Sequence, residues 1–118
     1  MSANIWPTEL RLDPAKTKLT VAFDNGDRFA LAAEYLRIES PSVEVQGHAA
    51  SQKQIVGGKR DVKIVELEEV GNYAVRIRFD DGHDTGLYSW DWLHELGRDQ
   101  QKKWALYLKA LSEKGLER

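Results

Sequence analysis

Two glycine-bearing turns between alternating segments, a short helical stretch after each, and one amphipathic stretch near the end predict an α+β domain. The turns are Asp24-Asn25-Gly26 and Asp80-Asp81-Gly82. The residues beside them alternate apolar and polar, the period of a half-buried strand. Trp104, Leu108 and Leu111 recur at i, i+4 and i+7 with Tyr107 beside them, the spacing of one apolar helix face. The predicted architecture is two antiparallel β-hairpin or meander units, each followed by a short helix, plus a C-terminal amphipathic helix.

In order along the chain, Thr8 to Leu12 reads as a short strand, and Asp13-Pro14-Ala15-Lys16 as a turn. Leu19, Val21 and Phe23 mark the next strand. Asn25-Gly26 tolerates the positive φ of a tight hairpin, and Phe29 and Leu31 lie on the return strand. Ala32 to Arg37 reads as a helix that stops by Glu39, because Pro41 disfavours helix in the residue before it. Residues 46–60 are polar and glycine-containing, and are read as a mobile surface loop. Val62 to Glu69 begins the second unit. Tyr73, Val75, Ile77 and Phe79 alternate in its clearest strand, and Thr85 to Tyr88 returns. Ser89 is a natural N-cap for a helix through Leu96, with Gly97 as its stop. The last helix is expected from Asp99 to Lys114. The two units echo each other: Phe23-Asp24-Asn25-Gly26 matches Phe79-Asp80-Asp81-Gly82, and Tyr35-Leu36 matches Trp92-Leu93.

With 118 residues, 42% of them hydrophobic and 31% charged, the chain is expected to be a single domain over residues 1–118 with a core of its own. It has no cysteine, which excludes disulfides, thiolate zinc sites, cysteine nucleophiles and cysteine-held iron–sulfur clusters. Net charge is −2, and neither half carries the basic excess that nucleic-acid binding uses. No signal peptide or membrane span is visible, so a cytoplasmic location is expected.

The densest polar cluster is Asp80-Asp81-Gly82-His83-Asp84, whose carboxylates and imidazole could hold a divalent metal. A hairpin turn accounts for the first three residues without a metal, but demands His83 less. Gly57-Gly58-Lys59 fails the phosphate-loop pattern, because Lys53 and Arg60 stand where a glycine and a Ser or Thr are needed. Ser40 and Ser42 have no base near them in sequence and read as loop residues. Trp90, Trp92 and Trp104 read as packing residues; exposure of Trp90 or Trp92 would mark a partner surface.

Several segments in order resemble the gamma-butyrobetaine hydroxylase-like N-terminal domain family. They are Trp6-Pro7 with the following strand, Tyr35-Leu36-Arg37 with Ser40-Pro41-Ser42 through Gln46-Gly47-His48, and Phe79-Asp80-Asp81-Gly82-His83 through Trp90-Asp91-Trp92-Leu93. The resemblance covers nearly the whole chain and is greatest to stand-alone bacterial members. It implies an accessory module rather than the oxygenase, whose catalytic barrel 118 residues do not accommodate. Related modules occur with P-loop proteins of iron–sulfur assembly.

In the hydroxylase, such a module holds structural zinc through three cysteines and a histidine. By the resemblance, the cysteine positions fall here on Ser40, Ser42 and Val45, and the histidine is His83. The expectation is that the zinc site is lost and that no cofactor is bound. A residual zinc or iron site would use His83 and His48 with Asp84 or Glu44. Two functions follow. One is a non-catalytic interaction module docking on a partner enzyme or iron–sulfur assembly factor through Trp90 and Trp92, with no nucleic-acid or membrane partner. The other is a metal-binding accessory protein or small metal-dependent enzyme built on His83 and its neighbouring carboxylates.

Overall fold

The structure is a computed structural model and describes residues 5–47 and 53–118. Strands β1 (Pro7–Leu12), β2 (Lys18–Phe23) and β3 (Arg28–Ala32) form an antiparallel sheet in chain order. The Asp13 carboxylate accepts from the backbone N–H of Thr17 and Lys18 at 2.8 and 3.0 Å, and so closes the β1–β2 turn. Gly26, at φ 95°, supplies the left-handed residue of the β2–β3 turn. Helices α1 (Ala33–Ile38) and α2 (Val43–Gln46) follow.

The second unit repeats this order. Strands β4 (Ile64–Val70), β5 (Ala74–Phe79) and β6 (Leu87–Ser89) form another three-stranded antiparallel sheet, followed by α3 (Trp90–Arg98) and α4 (Gln100–Glu113). Each unit's first strand even carries a register irregularity at the same place, Pro7/Glu9 and Ile64/Glu66. The expected α+β architecture is therefore present.

One core joins both units. Leu19, Val21 and Leu31 of the first sheet are buried together with Ile64, Val75, Ile77 and Phe79 of the second and with Leu36, Leu93 and Leu96 of the helices. Each fully buried side chain of this kind contributes about 1.5–3 kcal/mol. Two tyrosines tie the units through polar tips. The Tyr35 hydroxyl donates to the Leu96 carbonyl at 2.6 Å, and the Tyr88 hydroxyl to the Leu36 carbonyl. Burial pushes both phenols far above their ordinary range.

The structure departs from the sequence expectation in several places. Gly97 does not stop α3, which runs on to Arg98. A Cβ at Gly97 would lie 2.2 Å from the Phe29 ring, so close packing against β3 accounts for this glycine. Leu108 is 41% exposed, whereas Leu111 and the neighbouring Tyr107 are buried as expected of the apolar face of α4. Tyr73 precedes β5 and is exposed, outside the buried stripe of Val75, Ile77 and Phe79. The return strand is Leu87–Ser89, shorter than expected, because His83 to Gly86 form an irregular segment. Helix α2 was not expected; the Ser42 hydroxyl starts it by accepting from the Glu44 N–H at 3.2 Å. Within 46–60, Ile55 and Val56 pack partly buried against the core. No helix among the described residues is long and apolar enough to cross a membrane.

Candidate functional site

The α1–α2 corner meets the irregular segment after β5, which brings Ser40, Ser42, Val45 and His83 into one buried region. Ser40 has no exposure, and Val45 and His83 are buried. The His83 Nε2 lies 2.8 Å from the Ser40 Oγ, and its Nδ1 lies 3.2 Å from a Glu44 carboxylate oxygen. With the carboxylate at Nδ1, the neutral ring carries its proton there and accepts at Nε2 from the serine hydroxyl. The Ser40 Oγ in turn accepts from the Ser42 N–H at 3.2 Å. The Ser42 hydroxyl bonds Thr85 at 2.7 Å, and the Thr85 hydroxyl donates to Glu44 at 3.1 Å. Every polar side chain of this group is thereby partnered by another.

Arg37 and Lys59 stand beside this network and share Asp81. Their nitrogens lie 2.8 and 2.6 Å from its carboxylate, which also accepts from the His83 N–H at 3.0 Å. Burial would raise the Asp81 pKa, but the hydrogen bonds from Lys59, the His83 backbone and Arg37 outweigh it and hold the carboxyl at about 2. Burial first, and the nearby Arg37 charge second, lower the His83 pKa below its ordinary 6.5, so the ring is neutral at pH 7.

These residues do not fit a zinc ion. By the resemblance, Ser40, Ser42 and Val45 stand where anionic thiolates would be needed and bring no negative charge, and the Glu44 carboxylate nearby is engaged by the His83 Nδ1 and the Thr85 hydroxyl. An ion bound by both His83 and Ser40 would hold their donor atoms roughly 3.4 Å apart at tetrahedral geometry; they are 2.8 Å apart and bond each other. The Arg37 guanidinium close by, already felt by His83, repels a further cation. Asp84 is placed differently from His83: its carboxylate is half exposed and lies 4.0 Å from Arg78. His48 lies outside the described residues. Among the described residues, no three His, Cys, Asp or Glu side chains converge as a metal would require.

The order Ser40, His83, Glu44 is also the order of groups that activates a serine nucleophile. Here the hydroxyl is fully buried, and Gly86 packs so closely that a Cβ there would sit 2.6 Å from the Ser40 Oγ. The chain of bonds locks a corner rather than presenting a nucleophile. Sequence reading set Glu44 beside His83 only as a co-ligand of a metal, not as its hydrogen-bond partner, and missed the Arg37–Asp81–Lys59 cluster. The only cue was His83 itself, which a hairpin turn leaves unexplained.

The two tryptophans expected at a partner surface separate. Trp90 lines a cleft of about 270 Å³ with Ile5, Trp6 and Tyr73. Its indole N–H donates to the Asn72 carbonyl at 2.9 Å, which fixes the ring at the cleft wall. Trp6 and Tyr73 are 46% and 55% exposed. Trp92 is partly buried elsewhere: its indole N–H donates to the Glu39 carbonyl at 3.1 Å, and Lys103 lies over its ring.

The family model described as gamma-butyrobetaine hydroxylase-like, N-terminal, matches residues 10–94. Two proteins with solution NMR structures are similar over almost all of the chain. One is 42% identical, with a TM-score of 0.83 over 96% of this chain and 89% of the other. The second is 43% identical, with a TM-score of 0.85 over 100% and 88%. A crystal structure from Acidithiobacillus ferrooxidans, of a protein of unknown function in the DUF971 family, is 36% identical. Its TM-score is 0.65, over 77% of this chain and 91% of that one. No curated protein matches.

Proposed function

The chain belongs to the gamma-butyrobetaine hydroxylase-like N-terminal family, and from that premise we propose that it is a metal-free, non-catalytic interaction module of the cytoplasm. It docks on a partner enzyme or an iron–sulfur assembly factor through the cleft of Trp6, Tyr73 and Trp90. The observation that carries this reading is the cleft itself. Two large aromatic side chains stand exposed beside a third that is fixed by its indole hydrogen bond. Tyrosine and tryptophan clustered around an apolar hollow are the residues that dominate binding energy in protein interfaces. Asn72, Ser89 and Asp91 supply the polar edge that such a hollow needs to orient a partner.

Affinity capture with the full chain from its host, read by mass spectrometry, tests the proposal in combination with two variants. Trp6→Ala/Tyr73→Ala should lose the captured enzyme or assembly factor, its affinity falling at least about 30-fold. Leu106→Ala, on an exposed position of α4, should retain it. Equal recovery by both variants would place the interface elsewhere.

A further inference from the structure

A second groove, of about 460 Å³, lies where the start of α1 meets α4. Its floor holds Glu34, only 6% exposed, and its walls include Tyr35, Trp104, Gln100 and Gln101. Both oxygens of Glu34 accept from one guanidinium, that of Arg118: Nε at 3.0 Å and Nη2 at 2.7 Å. The same guanidinium lies over the Trp104 ring, 5.2 Å from its centre. A buried carboxylate that receives a parallel pair of N–H groups beneath an indole face is selective for arginine over lysine, because only the planar fork makes both bonds while stacking. We infer that this groove is a seat for an arginine side chain of a second polypeptide, and that Arg118 fills it in cis.

Three features support exchange. Arg118 stays 37% exposed while bound, so an incoming chain can reach its place. The stretch after α4 is held by backbone bonds from the Leu116 N–H to the Leu111 carbonyl and from the Gly58 N–H to the Glu117 carbonyl, and the departure of the Arg118 side chain disturbs neither. The groove continues beside Gln100 and Gln101, whose side-chain amides can bond the backbone of a bound peptide. Charge complementarity fixes the occupant's chemistry, since a buried carboxylate left without its cation is strongly disfavoured. The inference does not rest on the aromatic cleft and stands or falls separately from it.

The test is a titration of the full-length protein with a capped tripeptide carrying a central arginine, followed by NMR at the Trp104 indole N–H. An arginine side chain tethered this closely acts at a local concentration of about millimolar, so for a peptide Kd of about 0.1 mM Arg118→Ala should bind about tenfold more tightly than the parent. Arg118→Lys keeps the positive charge, guards against a disordered tail, and should also gain affinity. The matching lysine peptide should bind more weakly, and Glu34→Gln added to Arg118→Ala should abolish the shift. No indole shift in either Arg118 variant, or equal shifts from the lysine peptide, would overturn the inference and leave the Glu34–Arg118 pair as an intramolecular clasp between α1 and the segment after α4.

Discussion

His83 shows how one side chain can be read two ways. In sequence it sits among carboxylates and suggests a metal ligand; in the structure both ring nitrogens are committed, to Ser40 and to Glu44. The partners lie 43 residues away for Ser40, and only the fold brings them together. Burial lowers the His83 pKa, so the unfolded chain takes up the proton first as pH falls. The stability this histidine contributes is complete above its unfolded value of 6.5 and is lost as pH falls from there through the lower folded value. Urea midpoints measured across this range should fall less steeply in His83→Gln than in the parent. At neutral pH the same variant should lose about 1–3 kcal/mol through broken buried hydrogen bonds. An unchanged slope would mean that His83 titrates alike folded and unfolded.

At the scale of elements, the local signals were the readable ones. Asn25-Gly26 and the alternation around Val75 and Ile77 specify hairpins through short-range backbone preferences, and Ser89 caps α3 by accepting from the Trp92 N–H at 3.1 Å. What sequence left hidden depends on contacts between elements. Gly97 resembles a helix stop because glycine serves both purposes, and only the Phe29 ring of β3 reveals which one applies. Leu108 fits the helical period as well as Leu111 does, yet the core reaches only the Tyr107–Leu111 side. The corner of Ser40 and Ser42 was opaque for the same reason, since its base comes from the other unit. Gly97→Ala separates the two roles of that glycine. A helix interior gains about 1 kcal/mol from the exchange, but a Cβ at 2.2 Å from the Phe29 ring costs about 1–3 kcal/mol in overpacking. Thermal unfolding should therefore show net destabilisation; a stabilised variant would mean that the β3–α3 contact yields easily.

For the whole molecule, two similar three-strand units close on a common core, with buried tyrosines bonding across them. The corner of Ser40, Ser42 and Val45 and the segment from His83 to Thr85 face each other between these units. In this chain hydrogen bonds join them, supported by the Arg37–Asp81–Lys59 cluster. The aromatic cleft and the Glu34 groove are the two surfaces on which we propose that binding acts. We propose that these bonds, rather than an ion, hold the two units together at the corner of Ser40 and His83. Its most direct test is thermal unfolding of the full chain after exhaustive chelation, with and without added zinc. A resident zinc at a hundredfold excess over its Kd would add about 2.7 kcal/mol and raise Tm by several degrees. The account predicts a cooperative transition after chelation and the same Tm with zinc; a chain that unfolds on chelation and regains its transition with zinc would contradict it.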